Sequence, residues 1–222
     1  MSGAIPHGSL VVSCQARADN PLHGPLFMGA MARAAAQGGA GAIRANGPDD
    51  IRAVKQAGLP VIGINKVFSD DPVYITPSFA AAEAVASAGA DIIALDCTAR
   101  PRRGENWADI VRRIVEDLGL PVFADISTYD EARAAEQAGA SYVGTTLSGY
   151  TGGPVPTGPD LDLVALLSGA CSVPVVAEGR YNTPDLARQA LEAGAHAVVV
   201  GTMITNPREI TRSFARAVAD QS

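Results

Sequence analysis

The chain has 222 residues, 47% of them hydrophobic and 18% charged, and its formal net charge at pH 7 is −6. This length suits one domain, and the apolar share suits strands that are buried on both faces. The acidic balance argues against nucleic acid and anionic membranes as partners, since both are bound through basic surfaces.

Eight short apolar segments follow one another along the chain, separated by Ala-rich stretches with helical spacing. Runs of this length predict buried strands, and the stretches between them predict helices. Eight alternations of strand and helix predict an α/β fold, a single-domain (β/α)8 TIM barrel over residues 1–222, with residues 1–9 as an N-terminal tail or short cap. In chain order, the segments end at Gln15, Arg44, Lys66, Asp96, Asp125, Thr146, Glu178 and Thr202.

The starts of the predicted strands follow two alternating patterns. Strands 2, 4, 6 and 8 come after a Gly-Ala pair, whose glycine suits the left-handed end of a helix. Strands 3, 5 and 7 start at a Pro-Val pair, and proline is tolerated there because the first residue needs no ladder donor. The glycines are Gly39, Gly89, Gly139 and Gly194, and the prolines are Pro60, Pro121 and Pro174.

The carboxyl ends of the strands carry the active site in barrels of this kind. Because side chains repeat with a period of two, we predict that Lys66, Asp125 and Glu178 face the barrel axis, with Lys66 nearest the mouth. Gln15 would complete this set, and Arg44 would either hold a substrate oxygen or pair with a carboxylate. Such charges are costly to bury, so a structural salt bridge is the alternative, but their strand-end positions favour function.

The loops after strands 7 and 8 have the features of a phosphate site. Gly179 permits close approach to the backbone, and Gly201 with Thr202 follows strand 8. Barrels of this fold commonly hold phosphate there on backbone N–H groups, and Arg208 adds a cation nearby. The pattern predicts a phosphorylated substrate.

The remaining residues narrow the chemistry further. None of the three histidines, His7, His23 and His196, ends a strand, so we expect no catalytic metal. The three cysteines are widely spaced and are expected to be reduced thiols in a cytoplasmic protein. The long loop after strand 6, residues 148–158, is either a lid over the site or a flexible connection.

Several motifs, most of them at strand ends, together identify a family. They occur in order over nearly the whole chain, and the sequence resembles the N-acetylmannosamine-6-phosphate 2-epimerase family. The matching stretches are residues 12–15 (VSCQ), 43–47 (IRANG), 73–77 (VYITP), 91–96 (DIIALD), 124–128 (ADIST), 145–151 (TTLSGYT), 177–184 (AEGRYNTP) and 194–201 (GAHAVVVG).

This resemblance implies that N-acetylmannosamine 6-phosphate and N-acetylglucosamine 6-phosphate are interconverted by proton transfer at C2, with no cofactor. Lys66 and Glu178 resemble the family's catalytic lysine and carboxylate. The expected partner is a small sugar phosphate, and a homodimer is expected. The residues expected to bind the sugar are Gln15, Arg44, Asp125, Tyr150 and Thr151, and those expected to bind its phosphate are Gly179, Gly201, Thr202 and Arg208.

Two other classes of function use the same residues. A carbon–carbon lyase or synthase acting on a phosphosugar would use Lys66 to form a Schiff base. A regulator that binds a sugar phosphate without catalysis is the third reading, although binding alone does not require both Lys66 and Glu178.

Overall fold

The computed structural model describes residues 4–219, so residues 1–3 and 220–222 of the predicted domain lie outside the described part. The eight strands are all parallel and close into one barrel in chain order, which confirms the predicted (β/α)8 fold. The strands are β1 (Ser9–Cys14), β2 (Ala42–Asn46), β3 (Val61–Ile64), β4 (Ile92–Asp96), β5 (Val122–Asp125), β6 (Tyr142–Gly144), β7 (Val175–Glu178) and β8 (Ala197–Val200).

Helices follow the strands, and a short helix precedes the last long one. Side-chain caps start several of them; Thr183, for example, accepts the N–H of Leu186, as its position before Pro184 predicts. The helices are α1 (Pro25–Gln37), α2 (Pro48–Val54), α3 (Phe79–Ser87), α4 (Trp107–Arg113), α5 (Tyr129–Gln137), α6 (Leu161–Ala170), α7 (Pro184–Glu192), α8 (Thr202–Thr205) and α9 (Pro207–Ala219).

Both patterns at the strand starts have the expected structural role. The four glycines before β2, β4, β6 and β8 have φ angles between 92° and 104°, in the left-handed region that glycine favours. Each of β3, β5 and β7 begins one residue after its proline. The proline carbonyls are used, since Pro60, Pro121 and Pro174 accept the N–H groups of Ile43, Ile93 and Val143.

Apolar side chains fill the barrel and separate it from the helices. The barrel interior is packed with residues such as Val11, Ile62 and Phe123, whereas alternate residues such as Val12 pack outward. Because its interior is filled with side chains, the barrel can hold a ligand at its mouth but not along its axis. The three cysteines, Cys14, Cys97 and Cys171, are free.

The N-terminal residues that are described close the bottom of the barrel. Ile5 is buried, its carbonyl oxygen is bonded to Nε2 of His196 at 2.8 Å, and its N–H donates to the hydroxyl of Tyr142. His196 therefore lies at the end opposite the mouth, and residues 5 and 8 contact it there, while the assignment of residues 1–9 as an N-terminal tail or short cap stays a prediction.

The last helix, α9, leaves an apolar face uncovered. None of its described residues is buried, and Phe214 and Val218 are 68% and 74% exposed. Between α7 and β8 runs a groove of about 550 Å³, whose lining includes Leu191, Val200 and Met203. The longest helices have 13 residues, and within residues 4–219 none combines the length and apolarity needed to cross a bilayer.

Candidate active site

Arg44, on β2, holds two carboxylates together inside the barrel. Only 1% of its side chain is exposed. Nη1 and Nη2 donate to the two oxygens of Asp125 on β5, at 2.9 and 2.6 Å. Nη1 also donates to Oε2 of Glu178 on β7, at 2.7 Å. Buried carboxylates require a cation with such geometry, so Arg44 is the counter-charge of the site.

The buried charges change one another's pKa values. Burial opposes the charged form of Arg44, but Asp125 and Glu178 outweigh it, so the pKa of the guanidinium lies above its usual range. Burial raises the pKa of Glu178, while the nearby charge of Arg44 acts in the opposite direction. Glu178 therefore holds a proton more readily than an exposed glutamate does.

An aromatic ring supports Arg44 from within the barrel. The guanidinium carbon lies 5.2 Å from the centre of the Phe123 ring. The neighbouring strand needs a glycine here, because a Cβ on Gly144 would lie only 2.2 Å from that ring. The glycine in β6 thus leaves space for the Phe123 ring, against which the Arg44 guanidinium packs.

Two threonines after β6 complete this network. Thr146 donates its hydroxyl to Oδ1 of Asp125 at 2.5 Å and lies 3.3 Å from Oε2 of Glu178. The hydroxyl of Thr145 accepts the N–H of Glu178 and donates to the carbonyl oxygen of the same residue, both at 3.0 Å. The sequence marked Thr146 as a polar strand end, but gave it no role in the site.

Lys66 follows β3 at the mouth. It is not part of the ion-pair cluster that Arg44 forms with Asp125 and Glu178. Its Nζ donates to Oε1 of Gln15 at 2.8 Å, and the amide of Gln15 donates in turn to Ser13. Among the described residues, no ion pair joins Lys66 to Asp125 or Glu178. The buried salt bridge considered as an alternative therefore exists, but Arg44 forms it in place of Lys66.

Lys66 has a pKa lowered to about 8. Burial is the largest cause and the positive charge of Arg44 the next, whereas Glu178 and Asp125 act in the opposite direction. An appreciable fraction of the amine is thus uncharged near neutral pH and can accept a proton.

The residues predicted to hold phosphate lie around the ends of β7 and β8. Gly179 has a φ of 111°, and Gly201 with Thr202 links β8 to α8. Arg208, in the first turn of α9, is 38% exposed and donates to Oδ2 of Asp19 at 3.1 Å. An anion bound by Arg208 would therefore compete with the Asp19 carboxylate.

The loop after β6 is fastened by a residue that the sequence reading missed. Arg180 has a φ of 63° and donates to the carbonyl oxygens of Gly158 and Ser148, at 2.6 and 2.7 Å. Its guanidinium also lies 5.1 Å from the centre of the Tyr150 ring. In the sequence, the feature that could have identified Arg180 is its position directly after Glu178 and Gly179, at the end of a strand. The 148–158 loop is thus tied to the end of β7.

Comparison with known proteins assigns the chain. Residues 28–220 match a family, NanE, provisionally described as N-acetylmannosamine-6-phosphate epimerase. The chain belongs to this epimerase family. A relative from Caldanaerobacter subterraneus subsp. tengcongensis, provisionally named N-acetylmannosamine-6-phosphate 2-epimerase, is 48% identical over 96% of this chain and 92% of the relative. One of the same description from Thermosynechococcus vestitus is 52% identical over 89% and 88%.

Solved structures agree with this assignment to the epimerase family. The N-acetylmannosamine-6-phosphate 2-epimerase from Clostridium perfringens superposes with a TM-score of 0.91 and 43% identity, covering 96% of this chain and 94% of that one. A thiamine phosphate pyrophosphorylase from Pyrococcus furiosus has a TM-score of 0.61 at 19% identity, which shows the shared fold alone.

Other candidates in this epimerase-family chain lie apart from the cluster. Tyr150 is 46% exposed and Thr151 bonds to Ser127; within the described residues, neither bonds to Lys66 or Glu178. Asp96, at the end of β4, is fully buried and paired with Arg100, which gives it a structural role. Across residues 4–219, no three His, Cys, Asp or Glu side chains are grouped so as to hold a metal ion.

Proposed function

We propose that this chain interconverts N-acetylmannosamine 6-phosphate and N-acetylglucosamine 6-phosphate at C2. The observation that carries the proposal is Lys66, a mouth lysine whose pKa is lowered to about 8 and whose amine forms no ion pair with a carboxylate within residues 4–219. Such an amine can act as a general base near neutral pH. The C2 proton is acidic only beside the open-chain aldehyde, so the sugar ring must open first.

In the proposed first step, Lys66 removes the C2 proton. The electron pair of the C2–H bond forms a C1–C2 double bond, and negative charge develops on O1. The ammonium of Lys66 and the fixed charge of Arg44 stabilise this enolate. A proton is then added to the opposite face of C2. The C1–C2 double bond is lost, the C1–O1 double bond of the aldehyde forms again, and the epimer results.

Glu178 is the proposed partner in ring opening and reprotonation. Its side chain is 14% exposed, so it borders the mouth, and its raised pKa means that it binds and donates a proton closer to neutral pH than an exposed glutamate does. Arg44 and Asp125 are 1% and 0% exposed, so we assign them the electrostatic support of Glu178 and Lys66 in place of direct contact with the sugar. Gln15 is proposed to bind the sugar beside Lys66. From the 148–158 loop, Tyr150 and Thr151 are proposed to bind it as well.

The phosphate of the substrate is proposed to lie on the loops after β7 and β8. Gly179, Gly201 and Thr202 offer backbone N–H groups there, and Arg208 offers a guanidinium that at present binds Asp19. In this proposal the phosphate lies at one side of the mouth, and the reacting carbon lies towards Lys66.

Proton NMR of N-acetylmannosamine 6-phosphate incubated with the protein in D₂O tests the function. Signals of the second epimer should appear while the C2 proton signal of both sugars disappears, because solvent deuterium replaces that proton. Borohydride added during turnover should leave the protein mass unchanged. Cleavage of the sugar with a reduced adduct on Lys66 would indicate Schiff-base chemistry instead, and binding without any exchange would indicate a regulator.

We also propose that the chain forms a homodimer through α9. In a (β/α)8 barrel the eighth long helix is expected to cover the last strand, but here α9 leaves the groove beside β8 open. The exposed face of α9, with Phe214 and Val218, matches this groove in apolar character. A second copy can cover the groove with its own α9, and the reciprocal contact makes a closed pair.

Sedimentation of wild type and Phe214→Asp tests the dimer. A charge on the apolar face of α9 should convert a dimer into a monomer. Val155→Asp is the matched control, because this residue is 54% exposed in the loop after β6 and lies outside the groove. A wild-type monomer would contradict the proposal without affecting the proposed reaction at C2.

A further inference from the structure

Lys66 is flanked by residues bonded to a segment that returns to the mouth from the loop after β3. Lys66 itself pairs antiparallel with Ile75. On one side the N–H of Val67 donates to the carbonyl oxygen of Tyr74, and on the other the N–H of Thr76 donates to the carbonyl oxygen of Asn65, both at 2.9 Å. The segment 74–76 therefore fixes the backbone on both sides of Lys66.

This segment fills a gap between two barrel strands. The pairing of β3 with β4 ends at Gly63 and Ile93, so the strands part just below the mouth. The hydroxyl of Thr76 bridges them, because it accepts the N–H of Asn65 at 3.1 Å and donates to the carbonyl oxygen of Ala94 at 2.7 Å. One side chain thus joins the residue before Lys66 to β4.

The backbone of Thr76 is in an unfavourable conformation. Its φ is 45°, a left-handed value that β-branched residues rarely adopt, and the residue is fully buried. Such strain persists only where surrounding contacts impose it, and it is concentrated at functional sites. Glycine would fit this φ more easily. A threonine at this position therefore indicates that its side-chain hydrogen bonds are needed.

We propose that Thr76 is a positioning residue for Lys66. The hydroxyl of Thr76 fixes the backbone of Asn65 and so sets the direction from which the Lys66 amine approaches C2. This inference rests on the proposed role of Lys66 as the base. A second contact holds the other side of the same backbone, since Oδ1 of Asn46 on β2 accepts the N–H of Lys66 at 2.8 Å. The backbone at Lys66 is thereby held by a residue of β2 on one side and, through Thr76, by β4 on the other. Lys66 itself lies beyond the end of its own strand, β3.

The test compares three variants of Thr76. Thr76→Val keeps the shape but removes the hydroxyl, and should lower kcat about tenfold to a hundredfold with a smaller change in KM, because the base is misplaced and not lost. Thr76→Ser retains the hydroxyl and should restore most of kcat. Thr76→Gly relieves the left-handed strain, so it should fold even if valine does not, and should show the same loss of kcat.

The control is Val164→Ala, a buried change on α6 in the outer layer of the barrel. It should lower the melting temperature while kcat stays close to wild type. Equal kcat for Thr76→Val and wild type, or a serine variant as slow as valine, would overturn the inference. The inference would also be overturned if kcat fell in proportion to the melting temperature to the same extent in Thr76→Val and in Val164→Ala.

A second readout does not depend on turnover. The chain has only two lysines, so in a Lys55→Met background Lys66 is the sole lysine. Its rate of acetylation by acetic anhydride, followed by peptide mass spectrometry from pH 6 to 10, should change in Thr76→Val and not in Val164→Ala. An unchanged profile would overturn the positioning role, whereas an inactive wild type would overturn only the proposed reaction.

Discussion

The amine of Lys66 donates to the side-chain oxygen of Gln15 at 2.8 Å, and to neither carboxylate of the barrel mouth. Arg44 explains this, because it already binds both Asp125 and Glu178. The same guanidinium disfavours a second positive charge nearby and helps to lower the pKa of Lys66. The ion-pair cluster therefore leaves the lysine free to exchange its proton.

Lys66→Met should abolish epimerisation while binding of the sugar phosphate largely survives. Removal of a general base typically lowers the rate about 10²–10⁴-fold. The matched control is Lys55→Met, because Lys55 is the other lysine and pairs with Asp91 on the outside of the barrel. Rates from the NMR assay and dissociation constants from calorimetry decide this. Near-normal turnover by Lys66→Met would remove the residue from the mechanism.

The rate should increase with pH through the titration of Lys66. A base must be uncharged to accept a proton, so kcat/KM should rise roughly tenfold per unit at low pH and level off above about 8, the lowered pKa of Lys66. For an exposed lysine with no charged neighbours, the midpoint would lie near the ordinary value of 10.5. Measurement of kcat/KM from pH 6 to 10 checks this, and a profile that is flat up to pH 9 would contradict it.

Arg44→Met should destabilise the fold strongly. Loss of one partner from a buried charge pair typically costs about 3–5 kcal/mol, and here two carboxylates lose their cation. Arg112→Met is the control, because Arg112 is 58% exposed and pairs with Asp109 on the surface of α4; its loss should cost less than about 1 kcal/mol. Urea unfolding measures both, and equal midpoints would show that the cluster adds little stability.

The phosphate should contribute to turnover as well as to binding. Energy gained at a remote group positions the reacting carbon, so unphosphorylated N-acetylmannosamine should be a very poor substrate. Arg208→Ala should lower kcat/KM for the phosphorylated sugar about tenfold to a hundredfold, since a charge-assisted hydrogen bond is lost. For the free sugar, the same variant should have almost no effect. If both sugars react equally well, the phosphate site is wrongly placed.

The sequence by itself determined the fold and the ring of polar strand ends. Strand period, Gly-Ala helix ends and Pro-Val strand starts are local patterns, so the barrel and its mouth followed without knowledge of contacts. The same patterns brought out Lys66 and Glu178, because a polar residue that ends an apolar strand is visible in one dimension. Thr146 was visible in the same way, although its bond to Asp125 was not.

Only the tertiary structure decided which charges pair and what holds them. Lys66, Arg44, Asp125 and Glu178 could have paired in several ways, and the choice depends on distances between strands far apart in sequence. The role of Thr76 likewise arises from a loop that folds back between two strands. Hydrogen bonds and ion pairs act over a few ångströms in space, and a linear pattern does not specify those distances.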